Sequence, residues 1–463
     1  MTRDWTPPSG AGCGSAQAGA ASISRPASAR IFRVIRPVNS SPRSRFYCCV
    51  SCSGRSVDPA RLRNCALGQC ARRFRALSFL KKGGTAMPGG KSFAQEWAGL
   101  VMPTLAAAEA GALFMRQAAA VFAAPVPPPA PEPLWASPNE IVLDLHAARL
   151  RRFGPKVKPG AAPPAATPLL VCAPFSVHGA QIADLCAGHS LMQALAAHRA
   201  PLYLVEWLSA RPDQAGRRID DLLSDLNIFF DELGGAADFV GLCQGGWLGL
   251  IYAARFPGRI GRLAVAGAPV DIEAGPSPLS LLAQSTSLNT FRELVALGNG
   301  LALGAKADRL WRPLPESPED IHGVLQSDLA GDSPQFLARV EAFHRWGART
   351  LDLPGAYYLE VAERFYKANA LARGEFVALG KRIDLRALRN PLFLLAAAED
   401  EIAAPAQTMA CADLVGTPSG HIVRHMAEGG HLSLFVGARN LRRAWADVAG
   451  WLDAPQRSPA QNA

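Results

Sequence analysis

One short stretch of the sequence, FVGLCQGGWLG at residues 239–249, sets a cysteine among glycines, as Gly241-x-Cys243-x-Gly245-Gly246. A thiol is a poor nucleophile until a base takes its proton, and the base in turn needs a carboxylate to hold its tautomer. Both follow further along the chain. Asp400 follows the apolar run Leu392 to Ala398, and His431 stands behind two glycines in EGGHLSLF. Glu399 and Glu401 compete with Asp400 for the role of acid, and the turn expected at a strand end favours Asp400. Among nine histidines, His189, His198, His322 and His344 sit in helical, charged surroundings and read as surface residues. His421 and His425 lie beside the strand before His431 and are weaker candidates for the base.

These three residues need elements to bring them together. From Leu169 onward short apolar runs alternate with helical stretches: Leu169 to Phe175, a helix near Gln181 to His198, Leu202 to Trp207, a helix near Arg217 to Leu233, Phe239 to Leu242, and a helix from Gln244 to Phe256. LAVAGAPVD, PLFLLAAAED and HIVRHMAEGGH continue the series, and a helix around Asn440 to Leu452 closes it. Continuous apolar strands alternating with helices predict a mostly parallel sheet covered on both faces. NEIVLDL and ARLRRF predict a hairpin ahead of it. The fold class expected is therefore α/β, of the α/β-hydrolase kind, with its core in residues 138–271 and 389–455. Residues 272–388, helical and aromatic-rich, are expected as a cap inserted over the carboxyl edge.

In that fold the nucleophile stands on a tight strand-to-helix turn, and glycines two positions to either side relieve the crowding. A small buried cysteine behind a structural turn is the plainer reading of Cys243. Its place between strand and helix, with Asp400 and His431 following in the order nucleophile, acid, histidine, favours catalysis. The same geometry assigns the oxyanion donors to the backbone of Gln244 and of Phe175 or Ser176, with His178 nearby in the same APFSVHG stretch.

Composition narrows the class further. The net charge of +10 resides in residues 1–86, which hold 15 Lys and Arg against 2 Asp and Glu; the remainder carries 33 basic and 36 acidic residues. The folded part is thus nearly neutral, which argues against nucleic-acid binding. Six of the ten cysteines share that first segment, and the four others are scattered, as in a reduced, cytoplasmic compartment rather than a disulfide framework. No run of about 18 uncharged apolar residues offers a membrane span. Cys49-x2-Cys52 with Cys65-x4-Cys70 approaches a zinc spacing, and the Arg- and Ser-rich composition approaches a targeting peptide. Yet the segment has no sustained periodicity, and Lys81-Lys82-Gly83-Gly84 is encodable by a purine-rich ribosome-binding run just before Met87. Residues 1–86 are therefore expected to be a basic tail or to precede the true start at Met87. A helical segment and the Pro-rich linker APVPPPAPEP occupy 87–137.

With these residues in view, the chain resembles the polyhydroxyalkanoate synthases and the related intracellular polyhydroxyalkanoate depolymerase-like proteins, over about residues 138–453. The likeness rests on GLCQGGW, IADLCAGHSLMQAL, APVDI, EDEIAAP and GGHLSLFVG. It implies Cys243 as nucleophile, Asp400 as orienting acid and His431 as base. Glu206-Trp207 stands where the synthases commonly end the strand in Asp-Trp, and Glu401 where many have a histidine. Residues 352–385 look as much like the depolymerase side. The resemblance implies transfer of 3-hydroxyacyl groups from coenzyme A thioesters to a polyester. The same triad would serve a depolymerase, esterase or thioesterase, and a non-catalytic granule-associated protein could keep the fold. Expected partners are a hydroxyacyl-coenzyme A or polyester substrate, a polyester granule surface and a second copy in a homodimer. No metal and no cofactor beyond the coenzyme A substrate is expected. Acyl chain length would depend on how Trp311, Trp346 and Tyr357 fill the insertion.

Overall fold

Four runs of the chain, Leu169–Cys172, Leu202–Trp207, Ala237–Leu242 and Leu392–Ala397, have nearly every residue buried, as strands covered on both faces do. They belong to a single eight-stranded sheet in the computed structural model, which describes residues 120–454 apart from 122, 126–127, 129, 155–166, 197–200 and 312–313. All of these belong to the unit Met87–Ala463. The expectations placed on residues 1–86, on most of the helix from Lys91, on His198 and on the side chain of Trp311 lie outside the described residues.

The strands are β1 (Asn139–Asp144), β2 (Ala148–Phe153), β3 (Leu169–Cys172), β4 (Leu202–Trp207), β5 (Ala237–Leu242), β6 (Ile260–Ala266), β7 (Leu392–Ala397) and β8 (Ile422–Ala427). Their spatial order is β1-β2-β4-β3-β5-β6-β7-β8. The expected hairpin β1–β2 is antiparallel, β2 also runs antiparallel to β4, and every remaining pair is parallel. The chain moves outward from β3 to β4 and then returns to lay β5 on its other side. That reversal makes the carboxyl ends of β3 and β5 the switch point at which α/β sheets bind their ligands.

The alternation of side chains along each strand divides the core into two layers. Leu170 and Cys172 point to one, with helices α2 (Ile219–Glu232) and α3 (Gln244–Arg255); Leu169 and Val171 point to the other, with α1 (Leu191–Ala196) and the C-terminal helix Ala444–Asp453. Phe229, Phe230 and Tyr252 fill the first layer, and Met192, Trp445 and Val448 the second.

The long helix expected from Gln181 to His198 is not formed. A 3₁₀ turn at Ala180–Ala183 leads into a two-stranded hairpin, Asp184–Cys186 with His189–Ser190, and only Leu191–Ala196 is helical. The cause is Asp184, whose completely buried carboxylate accepts from Ser137 N (2.8 Å), Ser137 Oγ (2.7 Å) and Ser190 Oγ (2.5 Å), across a turn that Gly188 makes at φ 81°. Side-chain bonds of this kind offer the backbone an alternative to the helix. His189, expected at the surface, is also fully buried, its Nδ1 2.7 Å from the Val436 carbonyl.

Between β6 and β7 the chain makes six helices: α4 (Pro278–Ser285), α5 (Leu288–Leu297), α6 (Gly304–Trp311), α7 (Pro318–Leu325), α8 (Pro334–Ala348) and α9 (Gly355–Glu360), the last running on into a π-helical stretch, Val361–Lys367. Four open on a serine cap, Ser277, Ser287, Ser317 and Ser333, each accepting the amide three residues on. The insertion is tied to the loop after β3. Leu351 N donates to Val177 O (2.8 Å), Trp346 Nε1 to Gly179 O (3.0 Å), and His178 bridges Thr350.

Candidate active site

The turn between β5 and α3 carries Cys243 at φ 51° and ψ −115°, a left-handed conformation in which a residue with a side chain is strained. The turn is tight enough that a Cβ on Gly241 would overlap the backbone of Gly245 and Gly246, and one on Gly245 would overlap the Cys172 carbonyl oxygen. The two glycines flanking Cys243 thus allow helix α3 to start against the sheet.

Asp400 follows β7 on the turn 398–401, where its Oδ1 accepts the amides of Ile402 (2.9 Å) and Ala403 (2.8 Å). Its other oxygen, Oδ2, lies 2.8 Å from Nδ1 of His431, with the two side chains 0% and 6% exposed. His431 opens the short helix Glu428-Gly429-Gly430 leads into, α10 (His431–Val436), and Glu401 accepts its backbone N–H at 3.1 Å. The neighbour of the acid therefore grips the same residue by its main chain. Burial alone would lower the imidazole's proton affinity, but Asp400 and Cys243 together outweigh it and raise His431 to about 10. The buried ring thus holds its proton firmly, with Asp400 and Cys243 as its two partners.

The sequence expectation for the oxyanion donors falls on residues that the structure brings together. Gln244 is the first residue of α3, so its N–H has no intrahelical acceptor. Phe175 and Ser176 follow β3 on the adjacent crest. One further residue joins them: Tyr357 on α9, 1% exposed, whose hydroxyl lies 2.7 Å from Gln244 Oε1 and 3.2 Å from Phe175 O. Its ring stacks on Phe175 (5.1 Å), which stacks on Trp207 (5.6 Å). Burial, then the charge at Cys243, push the Tyr357 phenol well above its ordinary range, so it stays a neutral donor. Tyr366, on the π-helical stretch, is raised in the same way, by burial and by the charges at Cys243 and Asp400. Sequence reasoning named Tyr357 only as a filler of the insertion, because nothing local says that α9 reaches the turn after β5.

Other candidates stand apart. His178 Nε2 is 3.1 Å from Asp308 Oδ1 and its ring packs on Trp346, which is thereby placed on the β3 loop. His425 faces Asp447, and His322 and His344 bond the carbonyls of Leu329 and Glu316. Burial raises the thiols of Cys172, Cys186 (to about 11) and Cys411 (to about 12). Among the described residues no group of three or more His, Cys, Asp or Glu could hold a metal ion, and no helix is long and apolar enough to cross a membrane.

The strand order, the strained cysteine turn after β5 and the histidine after β8 define an α/β-hydrolase fold. Within it, the family described as "Protein of unknown function (DUF3141)" matches residues 149–459, and the chain belongs to that family. Two curated relatives are both named poly(3-hydroxyalkanoate) polymerase subunit PhaC. The one from Synechocystis sp. is 28% identical over 336 residues, covering 69% of this chain and 85% of the relative; the one from Allochromatium vinosum is 25% identical over 329 residues, covering 68% and 88%. Similar solved structures include a Paleococcus ferrophilus monoacylglycerol lipase (14% identity, TM-score 0.42, 62% of this chain and 93% of that one). Another is an α/β-hydrolase fold protein from Chitinophaga pinensis (15% identity, TM-score 0.41, 69% and 98%).

Proposed function

We propose that this protein is an acyltransferase that moves 3-hydroxyacyl groups from coenzyme A thioesters to the hydroxyl end of a growing polyester, with Cys243 as nucleophile, His431 as base and Asp400 as orienting acid. The observation that carries the reading is the coupling of a buried His431–Asp400 pair to a cysteine held in left-handed backbone at the carboxyl end of β5. The polymerase relatives support the substrate class.

In the first half-reaction the Cys243 thiolate attacks the thioester carbonyl. The tetrahedral oxyanion is met by the amides of Gln244 and of Phe175 or Ser176, each worth about 3 kcal/mol in the transition state. Coenzyme A leaves as its thiol, taking the proton from the His431 imidazolium. In the second, His431 accepts the proton of the chain-end hydroxyl, whose oxygen attacks the acyl-cysteine carbonyl, and the Cys243 thiolate departs. Thioester to thioester exchange is close to thermoneutral, which suits sulfur to the first step. Work at a granule surface and a homodimer belong to the same proposal.

The test supplies 3-hydroxybutyryl-coenzyme A and, separately, amorphous polymer to the wild type and to Cys243→Ala. Coenzyme A release with polymer growth, reduced at least about 10³-fold in Cys243→Ala, is the expected result. Soluble hydroxy acid from the polymer would make the protein a hydrolase with the same triad. Wild-type turnover of neither substrate, with partner binding indifferent to Cys243→Ala, would make it a non-catalytic member of the fold.

A further inference from the structure

Gln326 lies in the insertion, at the residue that ends α7, with left-handed backbone at φ 48° and 3% exposure. A polar side chain so deeply buried must have its hydrogen bonds made. Its Nε2 donates to Glu428 O (3.2 Å) and its Oε1 accepts from Asn440 N (3.1 Å). Asn440, 4% exposed, donates from Nδ2 to the same Glu428 carbonyl (2.8 Å) and to Ser433 O (3.0 Å). Two glycines make room for the glutamine: a Cβ on Gly437 would sit 2.5 Å from Oε1, and one on Gly429 3.2 Å from Nε2.

These bonds enclose residues 428–433, the loop and first turn that carry His431. Asp400 and Glu401 hold the ring and the main-chain N–H of that histidine from the β7 side. Gln326 and Asn440 hold the Glu428 carbonyl before it, and Asn440 the Ser433 carbonyl after it. The loop is rich in glycine; beyond the exposed ion pairs of Glu428 with Arg439 and Arg443 and the bond from Glu399 N to Gly429 O (3.0 Å), its course depends on these buried partners.

From this enclosure we infer that Gln326 is a positioning residue for His431, through which the insertion sets the aim of the base at Cys243. The inference rests on the triad reading given above. It makes the insertion more than a cover over the carboxyl edge: the element that shapes the substrate side also completes the support of the base. Removing the amide of Gln326 leaves Glu428 O with its Asn440 partner, so the loop loosens without unfolding, and the imidazole loses its aim at Cys243.

Alkylation of the full-length protein by iodoacetamide, with the Cys243 peptide followed by mass spectrometry across pH 5–10, tests this without a substrate. Wild type should react at pH 6–7, and His431→Ala should react only at more alkaline pH. Gln326→Met, which keeps the shape and removes both hydrogen bonds, should lose at least about tenfold in rate at pH 7 and shift towards the His431→Ala profile. In turnover of 3-hydroxybutyryl-coenzyme A its kcat should fall with KM unchanged. Should Gln326→Met not fold, Gln326→Glu reads the same shift, since it keeps the acceptor for Asn440 and sets a carboxylate oxygen against Glu428 O. A Gln326 variant profile that superimposes on wild type while His431→Ala shifts overturns the inference and leaves the triad standing. A His431→Ala profile identical to wild type overturns the triad reading, and the inference with it.

Discussion

Cys243 holds a backbone conformation that costs of order 1–3 kcal/mol, and the surrounding turn holds it there because Gly241 and Gly245 let backbone approach backbone. The members of the candidate site were legible at this scale: a cysteine between glycines, an acidic residue after a strand and a histidine after a glycine pair are local signals. The contacts of Tyr357, Glu401 and Gln326 were not legible, because each reaches a residue 30 or more positions away. Tyr357 gives the sharpest test. Tyr357→Phe keeps the stack on Phe175 and frees Gln244 Oε1, so kcat should fall about tenfold with the melting temperature within a few degrees of wild type. Measured steady-state kinetics beside a thermal melt decide it; unchanged kcat would remove the hydroxyl from the site.

At the scale of elements, sequence pattern located the eight strands and most of the helices that cover them, because the central strands carry their own apolar runs. It failed at residues 181–198, where a helical pattern lost to the hydrogen bonds of Asp184. That aspartate and Ser190 belong to the stretch IADLCAGHSLMQAL, whose pattern the structure explains as a knot tying the hairpin to Ser137. Asp184→Ala strips three donors of their buried acceptor and should cost roughly 3 kcal/mol, measured by urea unfolding. The Ser-Pro pairs at 277–278, 317–318 and 333–334 mark helix starts in the insertion that hydropathy did not show. Gly245→Ala tests the turn itself. The added methyl would overlap the Cys172 carbonyl, so α3 must shift, with a loss of about 1–3 kcal/mol or more and a larger loss of turnover.

Over the whole molecule, stability and site share one titration. His431 binds its proton more tightly folded than unfolded, so its contribution is fully present below the ordinary histidine value near 6.5 and is lost as pH rises through about 10. Thermal melts from pH 6 to 10 should therefore fall more steeply for wild type than for His431→Gln; parallel curves would contradict the imidazolium. The insertion adds a mechanical constraint. Residues 346–353 are fastened to the core from two directions, by Trp346 and Leu351 to the loop after β3, and by Asp352 O, which accepts Ala210 N at 2.8 Å. A cover hinged only at its two chain ends would swing open as one flap, whereas this one is stapled in its middle. Under the proposed polyester function, passage of a long chain would part the insertion on one side of the staple while the other stays seated. The amide of Leu351 should accordingly exchange with solvent as slowly as those of the main sheet, even while the enzyme is turning over.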